Sequence, residues 1–94
     1  MSAGHSLSVL PSNLKFVERS EMRKSLLEHL VGTPRTPSEL ASIERKHVSH
    51  VSRALSELRS HGLVEYSDAG SRERYYKATP QGYAAYITLL FSTR

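Results

Sequence analysis

"VSHVSRALSELRSHGLVEY", residues 48–66, sets an apolar stripe, a glycine stop and a short β-prone run in immediate succession. Val48, Val51, Leu55 and Leu58 recur at i, i+3, i+7 and i+10, which puts them on one side of a helix with a period of about 3.6 residues. The remaining positions carry Ser49, His50, Ser52, Arg53, Ser56, Glu57, Arg59 and Ser60. Solvated helix faces favour Glu, Lys and Gln, which cost little helix propensity, whereas serine and histidine do not help a helix. A face built from serine and histidine points to contact. Gly62 then ends the helix at a left-handed C-cap, and "LVEY" at 63–66 reads as a strand.

Working outward, Thr36-Pro37-Ser38-Glu39 is a strong helix start. Thr36 can accept from the Glu39 N–H, Glu39 can reach back, and Pro37 fits the first helical position. This helix is short, with Leu40, Ala41 and Ile43 as its apolar contacts. Before it, "GTPRTP" at 32–37 is turn chemistry, and "RSEMRKSLLEHLVG" at 19–32 lines Met22, Leu26, Leu27 and Leu30 on one side. A helix begins near Asn13. Ser20 either caps a fresh helix or sits inside a continuous one, and both readings stand. His29 and His61 are isolated near helix ends, as surface or capping residues.

Downstream, "YYKA" at 75–78 is a second strand, joined to the first by "SDAGSRER" with turn residues at Asp68 and Gly70. Thr79-Pro80-Gln81-Gly82 repeats the cap-then-proline start, and the final helix carries Tyr83, Tyr86, Ile87, Leu90 and Phe91. Residues 1–12 contain four serines and read as a flexible arm, of which Leu7, Val9 and Leu10 can dock on a neighbour. The division is therefore an arm at 1–12, a domain at 13–78, and a C-terminal helix at 79–94.

A chain of 94 residues accommodates one small core. Thirteen Lys and Arg against nine Asp and Glu leave a net charge of +4, which favours polyanionic partners. The absence of cysteine excludes disulfides, thiolate metal sites and redox thiols, and the expected location is cytoplasmic. No apolar run approaches the roughly 20 residues that span a bilayer, and the start of the chain lacks the basic-then-apolar pattern of a secretory signal. His47 and His50 stand at i, i+3, a spacing two metal-bound imidazoles could share, but only Glu44 is close in sequence, so no metal is expected. No Ser-His-Asp set, phosphate-cradling glycine loop or paired-carboxylate motif is present. The expectation is a protein with no cofactor and no catalytic activity.

The elements in order give a mainly α fold with a small β-hairpin, in which the second and third helices can pack as a helix-turn-helix, and the whole pattern resembles a winged helix-turn-helix. "TPSELA", "VSRALSEL", "HGLVEY" and "RERYYKATPQG", in that order over roughly residues 21–82, resemble the winged-helix transcriptional regulators of the broad MarR and ArsR type, particularly their archaeal relatives. The resemblance implies that the third helix enters the DNA major groove with Lys46, His47, Ser49, His50 and Arg53. Arg53 has the fork geometry to read guanine, and Ser52 can hold a phosphate. Glu57 and Arg59 fall beyond the groove. Arg72 and Arg74 at the wing neutralise backbone phosphate or enter the minor groove. Thr36 and Ser38 start a helix whose positive end also suits a phosphate, although capping is a sufficient role for them.

Dimerisation through terminal helices is common in that family. Here Tyr83, Tyr86, Ile87, Leu90 and Phe91 are a large apolar load for a terminal helix, and they are the expected homodimer interface. The implied function is a sequence-specific double-stranded DNA-binding transcriptional regulator. The alternative is a winged-helix adaptor that docks on proteins of a transcription or chromatin assembly.

Overall fold

The computed structural model describes residues 10–68, 70 and 72–92. Its elements are α1 (Pro11–Glu18), α2 (Glu21–Gly32), α3 (Pro37–Glu44), α4 (Val48–Ser60), β1 (Val64–Ser67), β2 (Tyr75–Ala78) and α5 (Pro80–Ser92). The fold is mainly helical with one two-stranded antiparallel hairpin.

Ser20 resolves the open question at the start of the chain. Its backbone is extended (φ −139°, ψ 121°) and its hydroxyl accepts from the Arg23 N–H at 3.1 Å, so α1 and α2 are separate helices. Helix α1 begins at Pro11, two residues before Asn13, because proline suits the first helical turn. The arm expected at 1–12 therefore gives up Pro11 and Ser12 to α1. Residues 1–9, Leu7 and Val9 among them, lie outside the described residues.

The capping box of α3 is complete: Glu39 N–H donates to Thr36 Oγ1 at 3.1 Å and Thr36 N–H to Glu39 Oε1 at 3.0 Å. Helices α3 and α4 end in the same six-residue hydrogen-bond pattern. After α4, Gly62 (φ 75°) donates to Arg59 O at 2.9 Å and Leu63 to Leu58 O at 3.0 Å. After α3, Arg45 occupies the left-handed position (φ 57°), donating to Ser42 O at 3.3 Å, while Lys46 donates to Ala41 O at 3.1 Å.

In the hairpin, Val64 pairs with Ala78, Glu65 with Lys77, Tyr66 with Tyr76 and Ser67 with Tyr75. The turn read from "GTPRTP" adds something the sequence did not reveal. Arg35 exchanges two backbone hydrogen bonds with Tyr76, at 2.8 and 3.0 Å, and extends the sheet by a single residue.

Leu26, Leu27, Leu40, Leu55, Leu58 and Leu63 are fully buried, each contributing about 1.5–3 kcal/mol by leaving water. Two expected core residues are not there: Ile43 is 43% exposed and Val48 is 42% exposed. On α4 the buried set is Val51, Ala54, Leu55 and Leu58, and including Ala54 rotates the inward arc away from Val48. On α3 the inward place beside Leu40 is taken by Glu44, whose carboxylate receives the Ser25 hydroxyl and meets His29 Nε2 at 3.4 Å.

A polar tie holds α1, α2 and α4 together. The Arg23 guanidinium lies 3.8 Å from the centroid of the Phe16 ring, donates to Phe16 O at 2.9 Å and pairs with Glu57 Oε1 at 3.0 Å. His61 stacks on the same ring at 3.7 Å, and its Nδ1 meets Asn13 Oδ1 at 3.0 Å. His29 and His61 are thus both partnered across helices.

Candidate nucleic-acid interface

With Val51, Ala54, Leu55 and Leu58 turned inward, α4 presents Ser49, His50, Ser52, Arg53 and Ser56 to solvent. Lys46 and His47 precede the helix and are also exposed. His47 occupies the N-cap position without a side-chain capping bond, and its Nδ1 instead meets Ser49 Oγ at 3.1 Å. The structure therefore gathers Lys46, His47, Ser49, His50, Ser52 and Arg53 on the outward side of one short segment. Glu44, the carboxylate nearest the two histidines in sequence, points instead to α2. Among the described residues no group of three or more His, Cys, Asp or Glu side chains could hold a metal ion.

The wing sits beside this helix. Between them is an open cleft of about 380 Å³, lined by Pro37 and Ser38 from α3, Ser52, Ser56 and Arg59 from α4, and Arg72, Glu73, Arg74 and Tyr76 from the hairpin. Arg74 lies 4.3 Å from the centroid of the Tyr66 ring, and Arg59 lies 4.7 Å from the same ring. Tyr66 thereby joins the far end of α4 to the wing and holds two guanidinium groups beside one cleft. A hydrogen bond to the Tyr76 side chain, and then the proximity of Tyr66, raises the Arg74 pKa above its usual value.

Two residues of this cleft were not among the expected contact residues. Arg59, expected beyond the contact region, lines the cleft, and so does Ser56. The signal was there in their spacing: Ser52, Ser56 and Arg59 stand at i, i+4 and i+7, on one helical edge. Glu57 is on another edge and is engaged with Arg23. Ser38 is exposed in the cleft, whereas Thr36 is 2% exposed and committed to the capping box.

Helix α5 divides its apolar residues between two environments. Ala85 and Leu89 are buried against α1 and α2, and Tyr86 packs on the core with Ile87 half-buried beside it. Tyr83 and Leu90 are each 54% exposed and Phe91 is 79% exposed. A smaller cleft of about 170 Å³, lined by Val17, Lys24, Leu27, Glu28, Tyr86, Leu89 and Leu90, lies next to this exposed set. Among the described residues no helix is long and apolar enough to cross a membrane.

No protein-family model and no curated protein matches the chain. Solved structures do. A possible transcriptional regulator for arsenical resistance is 31% identical, with 88% of this chain and 84% of that one covered at a TM-score of 0.70. The S. aureus MepR–DNA complex matches at 18% identity, over 85% of this chain and 68% of that one, with a TM-score of 0.75. The homodimeric winged helix-turn-helix DNA-binding domain of Mb0332 from Mycobacterium bovis, a possible ArsR-family regulator, is 22% identical over 86% of this chain and 74% of that one, with a TM-score of 0.71. Other matched chains are longer: this chain spans 51% and 64% of two Lactococcus lactis ZitR mutant structures and 56% of the MarR family transcription regulator SP03579.

Proposed function

The chain belongs to the winged helix-turn-helix transcriptional regulators of the MarR/ArsR type, and on that premise we propose that it binds double-stranded DNA sequence-specifically as a homodimer in the cytoplasm. The family is one of regulators and not of enzymes. The observation that carries the reading is the shared cleft. Short hydroxyl side chains from α3 and α4 and three arginines, Arg59, Arg72 and Arg74, open onto one space beside the outward face of α4. A helix seated in the major groove needs short side chains near the bases and cations at its edges, where the phosphates run.

In this reading Lys46, His47, Ser49, His50 and Arg53 meet base edges and adjoining phosphates, with Ser52 on a phosphate. Arg53 reads guanine. Arg72 and Arg74 follow the backbone or the minor groove. Residues 79–94 form the dimerisation element, with Tyr83, Leu90 and Phe91 as its exposed apolar face and Tyr86 and Ile87 linking that face to the core. A two-fold dimer would set two α4 helices about one DNA turn apart on a pseudo-palindrome.

Selection of binding sites from random duplex DNA tests the reading. It should return a pseudo-palindrome whose affinity falls steeply with salt, because each neutralised phosphate releases counterions. Recovery of no preferred sequence, together with salt-insensitive binding to a protein partner, would replace the reading with that of a docking adaptor.

A further inference from the structure

Val48 is the first residue of α4, and its place there is not explained by the fold. Its spacing to Val51, Leu55 and Leu58 suits the core, yet those three are fully buried and Val48 is 42% exposed. A β-branched side chain lowers helix propensity and supplies no cap. In water it also leaves apolar surface uncovered. Its surroundings are the polar segment already described. His47 precedes it, Ser49 follows it, and Ser52 and Ser56, which line the cleft, are one and two helical turns further along the same edge. Beside serine hydroxyls, an isopropyl group is the projecting apolar feature at this end of the helix.

We propose that Val48 is a specificity-determining residue that packs against the C5-methyl group of a thymine in the major groove. This rests on the reading of α4 as the DNA-recognition helix. The thymine methyl is the one apolar group that base pairs display in the major groove; every other feature there is a donor or an acceptor. Valine has no hydrogen-bonding atom, so it cannot serve those other features, and it penalises cytosine, whose exocyclic amine it would strip of water without replacing the lost hydrogen bond. Ser49, His50 and Arg53 carry the polar part of the code. Val48 adds a position in each half-site where a methyl group is required.

The test begins with the site that wild-type protein selects from random duplexes. Each thymine in that site is replaced singly by deoxyuridine, which removes only the methyl group. At one thymine per half-site, wild-type binding should weaken by about three- to tenfold. Val48→Ser should abolish the difference between thymine and deoxyuridine at that position, and Val48→Ala, whose methyl is nearer the backbone, should reduce it, while sensitivity at all other positions is kept. Their unfolding transitions should match that of the wild type, since the side chain is outside the core. Binding that ignores methyl removal at every thymine overturns the inference alone, as does a Val48→Ser protein that still discriminates. A selection that returns no preferred sequence overturns the DNA-reading proposal itself, and the inference with it.

Discussion

Gly82 lies so close to Leu63 that a Cβ on the glycine would stand 2.0 Å from the Leu63 carbonyl oxygen and 3.0 Å from its carbonyl carbon. Thr79 explains the approach. Its hydroxyl donates to Gly62 O at 2.6 Å and accepts from Gly82 N–H at 3.0 Å, while Thr79 N–H donates to Leu63 O at 3.0 Å. The start of α5 is thus sewn onto the turn that ends α4. Because the obstructing atoms are backbone, they cannot swing aside as a side-chain tip would. Gly82→Ala should lower stability by about 3 kcal/mol, at the upper end of overpacking. A urea titration with an unchanged midpoint would show that the two segments can separate freely.

The two matching helix ends give opposite predictions. Gly62 holds its left-handed conformation without a steric penalty, and Gly62→Ala should cost about 1 kcal/mol. Arg45 holds the same conformation with a Cβ, so Arg45→Gly should stabilise the fold by about 0.5–1 kcal/mol, after the greater unfolded-state freedom of glycine is offset. Denaturant midpoints that move in the same direction for both variants would contradict this account.

Arg53 separates sequence reading from general affinity. Arg53→Ala should weaken binding to the selected site by about 1–3 kcal/mol and leave weak binding to a scrambled duplex almost intact, because base contacts specify whereas phosphate contacts position. Equal losses on both duplexes would assign Arg53 to a phosphate.

The wing arginines and Arg59 make a different prediction. Arg72→Ala combined with Arg74→Ala should flatten the slope of log affinity against log salt by about 1–2 units, and Arg59→Ala by about 1 more. Sequence preference should hardly change unless an arginine enters the minor groove. An unaltered slope for all three would mean that the cleft faces away from DNA.

Leu90 and Phe91 stand exposed near the end of α5. Covering each in a dimer would contribute up to about 1.5–3 kcal/mol. Replacing both with serine should yield a folded monomer, since neither belongs to the core. Affinity for a full site should then fall on the order of 100-fold, as the second half-site no longer benefits from linkage. Sedimentation at tens of micromolar, roughly where such a dimer should persist, decides the matter: a monomeric wild type, or a dimeric double variant, rules this interface out.

Much of what neighbours along the chain carry was legible in the sequence, although the Ser20 cap stayed open and the left-handed Arg45 that ends α3 gave no signal. The Thr36–Glu39 box, the glycine after α4 and the cap at Thr79 each rest on groups a few residues apart, where the chain can barely avoid making the interaction, and the hairpin showed as two β-prone runs with turn residues between them. The outward chemistry of α4 was legible for the same reason, since helical spacing sorts its residues into faces. The contacts that needed the folded chain join groups that are distant in sequence. Arg23 and Glu57 are 34 residues apart and His61 and Asn13 are 48 apart, and no local pattern predicts their pairing. The same holds for Arg59 in the cleft, which needs Tyr66 and the wing beside it, and for the single-residue pairing of Arg35 with Tyr76. Val48 shows the limit most plainly. Helical period places it near the apolar stripe, but burial requires a neighbouring element to cover it, and the packing of α4 left it in the open.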